Sequence, residues 1–280
     1  MVEFTEEQIL EIWGGTGSTR EEGLHRCLLF WESNLLQRLV SVPPRLKTAG
    51  ARRHLFDGVL QRYLMMQRCR LFIREKCAEQ TGGLGAYTSN DLDIHLNAYY
   101  LNLAGALDNL AWAVTYEVPL LEHVSEESGK GSSRTFATLV GTPFLDALAK
   151  HYPDAAAALR GLSGWVADVK ALRDPAAHRL PLRFMTAVIP PDRRAEYEEL
   201  QERQREALAR GDLEERRALR EQERQLATFI PAFASPAPDE KGLRIVPNQI
   251  LADQEQFVRV ANHVLDEVLD RPTAGAPEVE

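Results

Sequence analysis

The sequence predicts a mainly α-helical protein, with at most one short β-hairpin. Apolar residues recur three and four positions apart over most of the chain, which is the pattern of amphipathic helices. The best strand candidate is a single short stretch, 182–189. The composition, 44% hydrophobic and 26% charged over 280 residues, is that of a globular chain long enough to bury a core.

The first half of the chain predicts three long helices. The first covers 21–40 and stops before Pro43, and the second covers 46–79 and stops at Gly82-Gly83. The third begins with Asn90 or Asp91 as its cap and ends before Pro119. A polar loop rich in glycine and serine follows at 125–135.

The second half predicts shorter elements. Proline opens two short helices, at Pro143 and Pro153, and Ser163 begins a longer one. That helix is expected to end, kink or restart at Asp174-Pro175, because the residue before a proline is pushed out of the α region. The strand 182–189 is expected to pair with 243–246.

A highly charged block at 194–225 follows, with eleven acidic and nine basic residues counted from Asp192. Gly211-Asp212 interrupts its sparse apolar pattern, so two antiparallel helices are predicted rather than one rod. We interpret this block as an insertion or a dimerisation arm. A proline-rich linker at 231–238 connects it to the rest of the chain.

The predicted organisation therefore has five parts. These are a flexible N-terminal segment (1–20), a helical bundle (21–189), the charged arm with its linker (190–240), a C-terminal helix that completes the bundle (241–271) and a disordered tail (272–280).

The sequence also indicates where the protein works. Its first residues are acidic, unlike a signal peptide, and no run of about eighteen apolar residues is present, so a cytoplasmic protein without a membrane partner is expected. Three cysteines without metal-ligand spacing, Cys27, Cys69 and Cys77, are expected to be reduced and mostly buried.

The charge distribution is uneven. A net charge of −8 argues against non-specific nucleic-acid binding by the whole molecule. Residues 45–76, however, carry nine basic against two acidic side chains, and 168–194 carry six against three. This segregation favours a positive face, although a solvated helix surface would have the same pattern.

One short motif remains after the strong catalytic signatures are excluded. The chain has no phosphate-binding loop, no HExxH, no GxSxG and no metal-ligand cluster. What stands out is RDPAAH, from Arg173 to His178. On a continuous helix these two positions are about 140° apart, whereas a kink at Pro175 would let both side chains enter one cleft. The alternative is structural: Asp174 caps a new helix with Pro175 at its first position.

RDPAAH resembles the R-x4-6-H motif of the HEPN superfamily (higher eukaryote and prokaryote nucleotide-binding domains). The segment HLNAYYLNLAGALDNLAWAV, His95 to Val114, is similar to the long core helix of HEPN-like bacterial proteins. With the C-terminal helix, the likeness covers about half the chain. It implies a helical bundle, commonly a homodimer, that is either a metal-independent endoribonuclease in toxin–antitoxin or antiphage systems or an inactive module that binds a nucleotide or a protein. Pro175 within the motif and the insertion at 190–240 depart from the simplest family pattern.

The resemblance implies roles for named residues. His178 would act as general acid or base, Arg173 would hold the scissile phosphate, and Asp174 would orient one of them. The 2′-OH of unpaired RNA would be the nucleophile, so neither a cofactor nor a metal is expected, and the products would be a 2′,3′-cyclic phosphate and a 5′-hydroxyl. RNA is the expected partner, with a second copy of the chain and an antitoxin as protein partners.

Further residues are assigned supporting roles. Asn102 and Asp108 are expected either to hydrogen-bond to the Arg173–His178 pair or to make ordinary contacts between helices. Trp31, Trp112 and Trp165 are expected in the core rather than as platforms for base stacking. No partner is identified for the other histidines, which are expected at the surface or in the core: His25, His54, His95, His123, His151 and His263. Basic residues near the motif are expected to contact RNA: Lys170, Arg179 and Arg183.

Overall fold

The computed structural model describes residues 32–78, 86–118, 138–178, 181–185, 189–227, 231–234 and 243–270. Within these ranges the protein is mainly helical with one small antiparallel sheet, which confirms the predicted fold class. The predicted N-terminal segment (1–20), the loop at 125–135 and the tail (272–280) lie outside the described residues. No described helix is long and apolar enough to cross a membrane.

The described parts of the first long helices lie where the apolar pattern predicts them, and 21–31 of the first one lies outside the described residues. Helix α1 covers 32–41 and is followed by a 3₁₀ turn, Pro43–Arg45. The predicted second helix is continuous but has three parts: α2 (Ala49–Arg53), a π-helical segment (His54–Leu60) and α3 (Gln61–Ala78). The Thr48 side chain caps α2 by accepting from the amide of Ala51.

Helix α4 (Ala86–Glu117) begins several residues before the expected cap at Asn90 or Asp91. Its inner face is apolar at helical spacing, with Leu92, Leu96 and Leu103 buried. At its other end, both carboxylate oxygens of Glu117 accept hydrogen bonds from the backbone amides that precede α2, those of Lys47 (2.8 Å) and Thr48 (3.1 Å). A carboxylate at a helix N-terminus is favoured by the helix dipole.

Three further helices follow: α5 (Thr142–Ala149), α6 (Pro153–Arg160) and α7 (Ser163–His178). Helix α7 begins at the predicted residue but does not end or restart at Asp174-Pro175. The expected helix cap at Asp174 is therefore wrong. Pro175 has no N–H to donate, so the helix continues through it with one backbone hydrogen bond fewer.

The charged block forms two helices, α8 (Arg194–Ala209) and α9 (Leu213–Leu226), as predicted. They are joined by a tight turn in which Gly211 adopts a left-handed φ of 73°. Gln204 of α8 donates to Glu223 of α9 (2.7 Å), as antiparallel neighbours do. A thin apolar strip seals this hairpin: Leu200, Ala207, Leu219 and Leu226.

The sheet differs from the predicted hairpin. Strands β1 (Arg183–Met185) and β3 (Leu243–Ile245) do not pair with each other, because β2 (Ala232–Ala234) lies between them. Strand β2 falls inside the stretch expected to be a proline-rich linker. Its position depends on pairing with residues distant in the chain, which local composition does not report. Helix α10 (Val246–Val264) follows directly and ends in a π-helical turn, Leu265–Leu269.

The chain divides into two compact units that are discontinuous in sequence. Unit 1 draws on 1–66, 101–171 and 251–280, and unit 2 draws on 67–100 and 172–250. The core of unit 1 contains the stacked rings of Tyr63 and Phe257, 5.7 Å apart. Unit 2 contains the sheet and the charged hairpin, and in it Tyr99 donates to the carbonyl oxygen of Ile250 (3.1 Å).

Candidate functional site

Helix α7 carries the Arg-His motif on its last turns, in unit 2. The Arg173 side chain is partly open to solvent, 37% exposed, and its Nη1 lies 3.0 Å from Oδ1 of the neighbouring Asp174, which is 58% exposed. Two of the three predicted catalytic residues are therefore in contact. Such an exposed pair stabilises the fold little and leaves the guanidinium able to exchange its partner for a phosphate.

The continuous helix sets the relation between the two motif positions. α7 is helical from Ser163 to His178, and in a regular helix two positions five residues apart lie about 140° from each other around the axis. The side chain of His178 and residue Arg179 lie outside the described residues. A regular helix places positions 173 and 178 on different faces, which is the arrangement that a kink at Pro175 was expected to avoid.

The other basic residues assigned to RNA occupy separate elements of the structure. Lys170 is half-buried on α7, one turn before Arg173, and Arg183 is exposed on β1. The positive charge of Arg183 acts on Asp93 of α4. Asn102 and Asp108 are half-buried in the part of α4 that belongs to unit 1, and Asn102 accepts a hydrogen bond from Arg62 of α3 (3.3 Å).

Two polar residues of α4 hold strand β1, a contact that the sequence did not reveal. Asn97 accepts from the amide of Leu182 and donates to its carbonyl oxygen, both at 2.9 Å. One turn earlier, Asp93 accepts from the amide of Phe184 (2.7 Å). These side chains satisfy the edge of β1 that does not face β2, as a further strand would.

Burial affects two titratable groups in this part of α4. Burial raises the pKa of Asp93, while the hydrogen bond from Phe184 and the charge of Arg183 act in the opposite direction. Burial lowers the pKa of His95, which stacks on Phe72 with ring centres 3.9 Å apart. Its Nδ1 is buried with no hydrogen-bond partner among the described residues. A neutral imidazole is the form that suits this site.

A second cluster lies in unit 1, where the π-helical segment meets α4. The sequence assigned no specific role to His54. In the structure, its Nδ1 lies 2.8 Å from Oδ1 of Asn109. Its ring stacks with Trp112 (5.8 Å) and Tyr116 (5.5 Å), both at 18° between planes. We call His54, Asn109, Trp112 and Tyr116 the aromatic seam. Trp112 and Trp165 were expected in the core, but each is only half-buried.

Glycines allow the close approach of the helices along this seam. A Cβ atom at Gly50 would lie 2.7 Å from the ring of Tyr116, and one at Gly58 would lie 2.4 Å from Oδ1 of Asn109. The sequence signal was present: Gly50, His54, Gly58 and Arg62 follow one another four residues apart. The spacing alone does not show that these residues face α4, which only the structure reveals.

Among the described residues, the two thiols are buried and the acidic side chains do not form a metal-ligand cluster. Burial raises the pKa of Cys77 to about 12 and raises that of Cys69, and both are free and buried, which confirms the expectation for these two. Cys27 lies outside the described residues. Across the described part of the chain, no three His, Cys, Asp or Glu side chains come together as metal ligands do.

Comparisons with known proteins found no match, whether with family models, curated proteins or solved structures.

Proposed function

We propose that the protein is a metal-independent endoribonuclease of the HEPN type, which cleaves single-stranded RNA through attack of the 2′-OH. The observation that supports this most is the position of Arg173, partly exposed and paired with Asp174 (3.0 Å), one helical turn and a half before His178 in a mainly helical fold. A cytoplasmic toxin or antiphage role, with an antitoxin as partner, belongs to the same proposal.

The roles follow from the chemistry of the side chains. The Arg173 guanidinium offers two parallel donors to a phosphate and offsets the negative charge that grows in the transition state. Asp174 holds that guanidinium before RNA binds. His178 transfers protons to or from the reacting oxygens, since histidine titrates near neutral pH. Lys170, Arg179 and Arg183 add positive charge near the phosphate backbone.

The continuous α7 favours an active site shared between two copies. Positions 173 and 178 diverge by about 140° within one copy. In a twofold dimer, Arg173 of one copy and His178 of the other meet across the interface, and the symmetry creates two such sites. This arrangement makes dimerisation a requirement for cleavage.

Cleavage of labelled single-stranded RNA in EDTA tests the proposal. Wild-type protein is expected to leave 2′,3′-cyclic phosphate ends. His178→Ala should lose about 10²- to 10⁴-fold in rate and Arg173→Ala about 10²- to 10³-fold. Arg160→Ala is the matched control, because Arg160 is similarly exposed and paired with a carboxylate, that of Asp146. Equal activity of all variants would disprove the assignment.

Mixing the two inactive variants tests the shared site. If each site combines Arg173 of one copy with His178 of the other, refolded mixtures of Arg173→Ala and His178→Ala regain about a quarter of the wild-type rate. Half of the dimers are then mixed, and each mixed dimer has one intact site. No recovery would contradict the shared arrangement.

A second candidate, a catalytically inactive module that binds a nucleotide or a protein, is supported by the charged hairpin. The exposed face of α9 carries three arginines, Arg217, Arg220 and Arg224, beside Glu214 and Glu221. Absence of cleavage by folded wild-type protein over a broad set of RNAs would favour this candidate over the enzyme.

A further inference from the structure

The aromatic seam of unit 1 is open to solvent in a way that a core cluster is not. Tyr116 is 39% exposed, and His54, Asn109 and Trp112 are half-buried. The three ring centres are almost equally spaced, with Trp112 and Tyr116 5.7 Å apart. No ring is therefore sandwiched between the other two, since a sandwich would separate the outer rings by about twice that distance.

The hydrogen bonds of Asn109 determine which ring nitrogen of His54 donates to it. Asn109 donates through Nδ2 to the carbonyl oxygen of Gly105 (2.7 Å), which directs its Oδ1 toward His54. Because Oδ1 only accepts, Nδ1 of His54 carries the proton in their 2.8 Å hydrogen bond. In the tautomer that carries its proton on Nδ1, Nε2 is an acceptor. No described residue hydrogen-bonds to this Nε2.

An exposed arginine adjoins the seam in sequence. Arg53 directly precedes His54 and is exposed, and no carboxylate among the described residues pairs with it. Its neighbours are occupied: Arg52 donates to the carbonyl oxygen of Leu46 (2.7 Å), and Arg62 donates to Asn102 (3.3 Å). Among the described residues, Arg53 is therefore the arginine adjacent to His54 whose guanidinium can hold an anion.

We propose that the aromatic seam binds one unpaired nucleotide of single-stranded RNA. The base stacks on Tyr116 and Trp112, Nε2 of His54 accepts a hydrogen bond from a base amino group or the 2′-OH, and Arg53 holds the adjacent phosphate. Stacked rings with a neighbouring guanidinium suit an unpaired base, whereas bases within a duplex have no free face. This inference rests on the proposed ribonuclease function but assigns binding to residues outside the RxxxxH motif.

Binding is measured apart from cleavage by using His178→Ala protein as the background. The probe is a short fluorescein-labelled oligoribonucleotide without secondary structure, in EDTA, followed by fluorescence anisotropy. Tyr116→Leu is expected to weaken binding about tenfold, and Tyr116→Phe, which keeps the ring, to bind as the parent does. Arg53→Gln should weaken binding and reduce the slope of log K against log salt by about one.

Phe56→Leu is the matched control, because Phe56 is 42% exposed but makes none of the ring contacts of the seam. It should leave the affinity unchanged, and duplex RNA should compete at least about tenfold less well than the single strand. Unchanged affinity in folded Tyr116→Leu and Arg53→Gln proteins would overturn the site. So would equal weakening by Phe56→Leu, or equal competition by the duplex.

The two proposals fail separately. Loss of RNA affinity in Tyr116→Leu without any wild-type cleavage would support the seam and contradict the ribonuclease. Cleavage that depends on Arg173 and His178, with binding indifferent to Tyr116 and Arg53, would do the reverse.

Discussion

At the scale of single residues, polar side chains on α4 make hydrogen bonds that position other parts of the structure. Asn97 and Asp93 complete the edge of β1, and Asn109 orients His54. A half-buried amide or carboxylate is tolerated only where its hydrogen bonds are satisfied, and each of these has a named partner. Their removal should therefore be more costly than an average surface substitution.

Asp93 provides the sharpest prediction at this scale. Asp93→Asn keeps an oxygen that accepts from Phe184 and removes a charge that burial disfavours, so its stability at pH 7 should equal or exceed that of the wild type. Asp93→Ala leaves the amide of Phe184 unsatisfied and should cost about 1–3 kcal/mol. Urea unfolding of the three proteins measures both effects.

The pH dependence of this comparison follows from the raised pKa of Asp93. Because the pKa of Asp93 is raised in the folded state, protonation of this carboxyl stabilises the fold, and this contribution is complete below the ordinary carboxyl pKa of about 3.9. The contribution is lost as the pH rises through the pKa of the folded state. The advantage of Asp93→Asn over wild type should therefore grow from pH 3.5 to pH 7, with these two pH values taken as rough limits of the window. A constant difference would contradict a raised pKa.

At the scale of elements, close helix contacts depend on glycines whose neighbours differ in flexibility. A Cβ at Gly58 would meet Oδ1 and the Cβ of Asn109, at 2.4 and 3.0 Å, whereas a Cβ at Gly105 would meet the mobile end of Arg62, at 2.5 Å. The first contact involves a side chain fixed by two hydrogen bonds. The second involves a guanidinium that can rotate away.

We therefore expect opposite results from two formally identical changes. Gly58→Ala should lower the free energy of unfolding by about 1–3 kcal/mol, because Asn109 must move and lose its hydrogen bond to His54. Gly105→Ala should be neutral or stabilising by up to about 1 kcal/mol, since alanine favours the helix. Thermal unfolding of both variants decides this, and equal losses would show that the helix spacing itself is at its limit.

At the scale of the whole molecule, the two compact units share long helices. Each of α3, α4, α7 and α10 contributes residues to both units. A helix propagates its hydrogen bonds along its length, so one part does not unfold independently of the next without breaking that continuity. The division into units is therefore not expected to create two independently folding domains.

This expectation is tested by following urea unfolding of a Cys27→Ser variant with two probes, thiol labelling and tryptophan fluorescence. Cys69 and Cys77 report on unit 2, and the described tryptophans, Trp112 and Trp165, report on unit 1. Burial raises the pKa of Cys77 to about 12, so it should label only on unfolding. Coincident urea transitions for labelling and fluorescence are expected. Labelling at clearly lower urea would indicate that unit 2 unfolds by itself.

By itself, the amino-acid sequence determined the helical fold class, most helix positions, the two-helix charged hairpin and the order of residues in RDPAAH. These features are local: apolar spacing, proline at helix starts and glycine at turns act within a few residues. Only the tertiary structure decided the insertion of β2 between β1 and β3, the continuity of α7 through Pro175 and the partner of His54. The sheet order and the partner of His54 depend on hydrogen bonds between residues far apart in the chain, for which no local pattern exists. At Pro175 the local rule predicted an end, a kink or a restart, and the chain stays helical to His178 instead.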